Sequence, residues 1–141
     1  MKKELEIIYR GICTDSTNHF FGEFIYGDLI DFVDGGTYIR MSNYKNNCFI
    51  VNPDTVGQFI GKLDIHGNKI FKGDFDSNYD VIDWCDKRCG WALFTYNHPT
   101  KEYIHCNCYS CEGNFEIRDV EDEIEIKGNI YNSFENFFKK E

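Results

Sequence analysis

The chain has 141 residues, of which 42% are apolar, 17% aromatic and 28% charged. A chain of this size buries about two-thirds of the surface that its unfolded form exposes, so it folds without a disulfide framework. Its 15 Lys and Arg against 24 Asp and Glu give a net charge of -9. This balance argues against binding to a nucleic-acid backbone or to anionic lipid, because both need a cationic surface.

The amino-terminal segment carries Lys2 and Lys3, but Glu4 and Glu6 interrupt its apolar run. No secretory signal is therefore predicted. No window approaches the roughly 18 to 20 consecutive apolar residues of a membrane span. We expect a cytoplasmic protein with no membrane association, in which the seven cysteines are thiols or metal ligands rather than disulfides.

Short apolar runs rich in aromatic and β-branched residues follow one another along the chain, and Gly, Asn or Asp separates them. They cover residues 5–9, 20–30, 37–41, 48–51, 56–60, 91–96 and 115–130. Their spacing predicts an all-β, mainly antiparallel sheet or small barrel. Strict alternation over 123–127 predicts a strand with one buried face.

Glycine-containing segments predict where the strands reverse. Gly35-Gly36 predicts one reversal, and His66-Gly67-Asn68 predicts a hairpin in which Gly67 takes a positive φ. The last segment differs, because Ser133 can cap a helix over 133–140 that places three phenylalanines on one side. The sequence thus predicts an all-β fold with a short C-terminal helix.

The most distinctive motif is Asn-Pro-Asp-Thr-Val-Gly-Gln-Phe-Ile-Gly at 52–61, followed by the hairpin sequence at 64–74. Together with 9–11, 23–30 and 127–132, it resembles the signature of the YopX-like proteins of phages and prophages. The resemblance covers nearly the whole chain except 83–116. Departures are the order of Lys62-Leu63 and the presence of Ser133-Phe134 after the last motif.

The resemblance implies SH3-like barrel character, an accessory protein of a mobile element and, as an option, a homo-oligomer. It implies a single YopX-like unit over 1–141, while the length of the chain leaves open a division into two lobes at 1–75 and 76–141. It implies no reaction. Asp28 and Asp74, which each follow a glycine, are expected to form turns through their side chains rather than a catalytic carboxylate pair.

The segment from Asp74 to Asp80 imitates the start of a calcium loop. Tyr79 stands where such a loop needs glycine, and Cys85 stands where it needs glutamate. We therefore expect a solvated acidic loop here.

Two short cysteine pairs are the strongest chemical feature. The candidate metal ligands are Cys85, Cys89, Cys108 and Cys111, with Cys106 or His105 as substitutes. Four thiolates brought together by a hairpin would close a structural zinc site, although the spacings are looser than in a zinc ribbon. The alternative is that reduced cysteines pack as small apolar groups.

Seven carboxylates accompany a single base, Arg118, between residues 112 and 125. They are Glu112, Glu116, Asp119, Glu121, Asp122, Glu123 and Glu125. One interpretation is the solvated face of two strands. The other is a negative partner-binding surface that imitates nucleic-acid phosphate and occupies the cationic groove of a host protein.

These features favour a non-enzymatic acidic binding protein of phage origin that inhibits a host macromolecule and counters a host defence, as anti-CRISPR proteins do. One alternative sequesters a nucleotide or another small molecule between subunits, using bases such as Arg10, Arg40 and Lys45. A zinc-stabilised structural module is another. A hydrolase that uses Asp28, Asp74 or a thiol is the third.

Overall fold

The structure is a computed structural model, and it describes residues 6–33, 35–45, 47–86, 89–97, 102–103, 117–120 and 122–131. For 95–97, 102–103 and 117–119 it describes the backbone alone. The chain divides into two compact units, Met1–Gly61 and Lys62–Glu141. Both are built from antiparallel strands, which confirms the predicted all-β class.

The first unit contributes five antiparallel strands, in the order β4-β3-β2-β1-β5, to a six-stranded sheet. These are β1 (Tyr9–Ile12), β2 (Phe24–Asp31), β3 (Thr37–Met41), β4 (Asn47–Ile50) and β5 (Gly57–Leu63). Short 3-10 turns at Ser42–Tyr44 and Pro53–Thr55 connect the last three strands. The predicted reversal at Gly35-Gly36 joins β2 to β3, where Gly35 has a φ of 94°.

The residues that follow β1 and β4 close this sheet on itself. Cys13 forms an antiparallel bridge with Val51. On either side of it, Thr14 N donates to Ile50 O at 3.1 Å and Asn52 N donates to Ile12 O at 2.9 Å. These bonds join the carboxyl end of β1 to the carboxyl end of β4, so the strands β1 to β4 form a closed ring, which we call the barrel.

Small and branched side chains fill the barrel. Its buried core is formed by Cys13, Ile25, Ile39, Met41 and Val51. Gly27 allows β2 and β3 to approach closely, because a Cβ at this position would lie 2.1 Å from the carbonyl oxygen of Arg40. No side chain is tolerated at that distance, so a glycine is required here.

The strand β5 crosses the boundary after Gly61, and the predicted hairpin at 64–68 links it to β6. The further strands of the second unit are β6 (Lys69–Phe71), β7 (Asp74–Asp76), β8 (Asp80–Cys85), β9 (Gly90–Asn97), β10 (Glu102–Tyr103), β11 (Ile117–Asp119) and β12 (Ile126–Asn129). The strand β6 lies next to β5 as the sixth strand of the first sheet. The other strands form a second sheet with the order β10-β9-β8-β7-β12, in which β11 also pairs with β9.

The pair β8–β9 is the centre of the second unit. Val81 lies opposite Phe94, and Ile82 lies opposite Leu93. Successive residues of a strand point to opposite faces of the sheet. Because all four side chains are buried, both faces of this pair are covered.

The expected solvated loop at Asp74 to Asp80 is wrong. Asp74 and Asp76 are 3% and 4% exposed and lie in β7. An Asp74 carboxylate oxygen accepts from Phe71 N at 2.8 Å, and Asp76 accepts from the backbone of Asn78 and Asp80, each at 3.0 Å. A carboxylate is tolerated inside a protein when such donors replace its water.

The structure corrects two further predictions, and a third lies outside the described residues. Asp28 is not a turn former, because it lies in β2 opposite Arg40 and pairs with its guanidinium at 3.0 Å. The strand predicted over 123–127 begins instead at Ile126. The helix predicted over 133–140 lies outside the described residues. In the part of the chain that is described, no helix is long and apolar enough to cross a membrane.

Candidate functional site

The described end of the acidic segment lies against the β5–β6 hairpin of the second unit. Lys62 Nζ is 3.2 Å from a carboxylate oxygen of Asp122 and donates to Val120 O at 3.1 Å. The backbone N–H of Ile65 donates to Ile124 O at 2.9 Å. The hairpin and the segment at 120–127, about 60 residues apart in sequence, are thus held together at several points.

Glu125 lies between two bases on this surface. Its two carboxylate oxygens are 2.8 Å from Lys127 Nζ and 2.7 Å from His66 Nε2. The hydrogen bonds from Lys127 and His66 hold the pKa of the Glu125 carboxyl below its ordinary value. Glu125 therefore carries its negative charge at neutral pH, but much of that charge is balanced within the protein.

Asp64 fixes the shape of the hairpin. It is 6% exposed, and its oxygens accept from the backbone N–H groups of His66 at 2.9 Å, Asn68 at 2.9 Å and Ile126 at 3.3 Å. Burial acts to raise the pKa of the Asp64 carboxyl, but these hydrogen bonds outweigh burial and hold the pKa below its ordinary value. One ionised carboxylate thus ties the turn to the start of β12.

Two apolar side chains of the same hairpin are exposed. Leu63 is 49% exposed and Ile65 is 54% exposed. Glu123 is also exposed. We call this surface the hairpin patch and define it by the side chains of Lys62, Leu63, Ile65, His66, Asp122, Glu123, Glu125 and Lys127. It combines apolar groups with acids, as protein interfaces commonly do.

The remaining predicted partner-binding acids are not part of the described surface. Glu112, Glu116 and Glu121 lie outside the described residues, and Asp119 lies on β11, where the backbone alone is described. Of the three acids in the patch, Asp122 and Glu125 have basic partners. The patch is therefore less negative than the sequence suggests, because Lys62 and His66 approach from the hairpin and Lys127 follows Glu125 in the same segment.

The chain was compared with family models, curated proteins and solved structures. None of them matches it. The resemblance to YopX-like proteins, and the host-directed role that it implies, stay predictions. The geometry of the described residues therefore carries the functional argument.

The predicted zinc ligands fall into a described and an undescribed pair. Cys85 is buried at the end of β8, whereas Cys89 is exposed in the β8–β9 turn, where its thiol donates to Asp86 O at 3.3 Å. Cys108 and Cys111 lie outside the described residues. Among the residues that the structure describes, no three His, Cys, Asp or Glu side chains form a group that could hold a metal ion. The zinc site stays a prediction, which metal analysis of the purified protein would test.

The bases suggested for a nucleotide phosphate are Arg10, Arg40 and Lys45. The Arg10 guanidinium lies 4.4 Å from the ring centre of Phe24, and Arg10 is buried. Arg40 pairs with Asp28 on the outer face of the barrel. Lys45 follows the 3-10 turn at Ser42–Tyr44 with a φ of 57°. Two of the three bases are thus engaged with other side chains.

A tryptophan pair on the β8–β9 hairpin is a further feature, which the sequence alone does not reveal. Trp84 lies directly opposite Trp91, with ring centres 5.3 Å apart and planes at 82°. Trp84 is 43% exposed, and its indole N–H donates to Asp86 at 2.9 Å. The turn of a hairpin sets which residues lie opposite each other. The spacing of seven residues therefore does not by itself show that the two tryptophans form a pair.

Proposed function

We propose that this protein is a non-enzymatic binding protein that docks on a cationic surface of a host macromolecule through the hairpin patch. The observation that carries the proposal is the exposure of Leu63 and Ile65 on the hairpin that is bound to the acidic segment at Asp122 and Ile124. Exposed Leu and Ile side chains contribute favourable free energy to binding when a partner removes their surface from water.

Three properties of the protein support this role. The Asp64 hydrogen bonds hold the hairpin in one conformation before a partner arrives, which reduces the entropy lost on binding. The net charge of -9 attracts a cationic partner over a distance and raises the rate of encounter. The ion pairs Lys62–Asp122 and Lys127–Glu125 fix the positions of charges that a partner must match, which favours specificity.

The biological role proposed for this interaction is taken from the resemblance to the YopX-like proteins. We infer a phage or prophage protein that acts in the bacterial cytoplasm and counters a host defence by occupying a cationic groove. The partner is a protein, since a chain with this negative charge does not bind the phosphate backbone of a nucleic acid.

Affinity capture from host lysate tests the proposal when it is done with matched variants. Glu123→Lys changes the charge of the patch, and Asp54→Lys makes the same change at an exposed site of the first unit. At about 50 mM salt, where exposed charges are weakly screened, we expect the wild-type protein and Asp54→Lys to capture the same host protein. Glu123→Lys should lose most of it.

A second pair of variants tests the apolar contribution. Ile65→Ser removes an exposed side chain of the patch, and Ile7→Ser removes one of similar exposure from the first unit. Loss of capture with Ile65→Ser but not with Ile7→Ser supports the hairpin patch. Equal capture by the wild-type protein, Glu123→Lys and Ile65→Ser would contradict the proposal.

A further inference from the structure

In the tryptophan pair of the second unit, three contacts hold Trp84 in place. Trp91 contacts Trp84 edge to face at 5.3 Å. Asp86 accepts the indole N–H of Trp84 at 2.9 Å. Asp83 accepts the backbone N–H of Trp84 at 2.7 Å. A large aromatic ring that is fixed but 43% exposed loses little conformational freedom when a ligand covers it.

The chemistry around the ring favours a cation. The face of an indole carries negative charge density and is the best aromatic partner for cations among the side chains. The Asp86 carboxylate lies at the edge of the same ring. One of its oxygens accepts the indole N–H, and the other receives no hydrogen bond from the residues that the structure describes. A planar guanidinium can stack on the indole and donate an N–H to that oxygen.

We propose that Trp84 and Asp86 form a binding site for an arginine side chain of a basic polypeptide segment. The guanidinium stacks on the exposed face of Trp84, and the carboxylate of Asp86 accepts one of its N–H groups. Trp91 supports the ring from the side. The site lies on the β8–β9 hairpin and does not rest on the proposal for the hairpin patch.

The blocked tripeptide Gly-Arg-Gly and its citrulline counterpart test this site. Citrulline has the shape of arginine without the positive charge, so it separates a cation–π contact from general apolar binding. The binding is measured with the full-length protein by titration, following the indole N–H signal of Trp84 in NMR spectra. We expect a saturable shift with the arginine peptide and a much weaker one with the citrulline peptide.

Three variants locate the site. Trp84→Leu should weaken binding between about two-fold and about thirty-fold, the range that a cation–π contact supplies. Asp86→Asn, at an exposed position that the fold tolerates, should also weaken it. The matched control is Tyr26→Leu, which removes a similarly exposed aromatic ring from the first unit and should leave the affinity unchanged. Binding by these variants is followed through the signals of the peptide.

Several results would overturn the proposal. Equal binding of the citrulline peptide would show that charge is not recognised. Unchanged affinity in both Trp84→Leu and Asp86→Asn would place the binding elsewhere. The double variant Lys87→Ser, Arg88→Ser removes two positive charges from the sequence next to Asp86. These charges repel the arginine peptide, so the variant should bind the peptide at least as tightly as the wild-type protein does. Weaker binding by this variant would also contradict the site.

Discussion

Gly67 and Tyr79 occupy the same position in two turns of the same geometry. Each donates its N–H at 3.0 Å to the carbonyl oxygen of an aspartate three residues earlier, Asp64 or Asp76. Each has a positive φ, 81° for Gly67 and 65° for Tyr79. The aspartate carboxylate in both turns accepts the N–H groups two and four residues ahead. The second unit thus uses one turn design twice, with an aspartate as its anchor.

Gly67→Ala should lower the free energy of unfolding by about 1 kcal/mol. A Cβ at Gly67 meets nothing within 4 Å, so the cost is the strain of a left-handed backbone alone. Asparagine tolerates this conformation better, and Gly67→Asn should cost less than Gly67→Ala. Urea unfolding at neutral pH measures both. Equal losses for the two variants would show that backbone conformation does not set the cost.

Gly27→Ala should be far more damaging, with a loss of about 3 kcal/mol or failure to fold. A Cβ there would lie 2.1 Å from the carbonyl oxygen of Arg40, and a backbone atom inside a barrel cannot yield without moving β3. The control is Gly35→Ala, where the φ is 94° but the space is open. That variant should lose about 1 kcal/mol. Similar losses for the two would contradict the close approach of β2 and β3.

Asp64→Asn should lower stability at neutral pH by about 2 kcal/mol, because hydrogen bonds to a charged acceptor are among the stronger ones. The pKa of the Asp64 carboxyl is held below its ordinary value in the folded protein. In the unfolded chain it returns to about 3.9. The unfolded state therefore binds more protons between these two values, and the contribution of Asp64 is lost as the pH falls through the folded pKa.

Urea unfolding of the wild-type protein and Asp64→Asn at a series of pH values measures this linkage. The difference between the two proteins should be constant at neutral pH and should shrink in acid below the unfolded pKa. Asp54→Asn, at an exposed site of the first unit, serves as the control and should show little difference at any pH. A gap between wild type and Asp64→Asn that stays constant down to low pH would contradict the role of the ionised carboxylate.

Much of the fold follows from the apolar runs and glycines of the sequence. The runs at 37–41, 48–51 and 91–96 coincide closely with strands β3, β4 and β9, and the turns at Gly35 and Gly67 lie where glycine predicts them. Alternation and turn residues are local properties. A single sequence therefore shows them directly.

The features that the sequence conceals depend on distant contacts. The strand β8 contains two aspartates among its six residues, so no continuous apolar run marks it as a strand. The burial of Asp74 and Asp76 depends on backbone donors that the fold brings to them. Likewise, nothing local indicates that Lys62 pairs with Asp122, 60 residues further along the chain.

The most direct test of the hairpin patch is the salt dependence of the association rate with the captured host protein. For the wild-type protein and Asp54→Lys, the rate should fall steeply as the salt concentration rises, since long-range attraction is screened. Glu123→Lys should associate more slowly at low salt and show a shallower dependence. If Glu123→Lys has the rate and salt dependence of Asp54→Lys, the hairpin patch is not the surface that meets the partner.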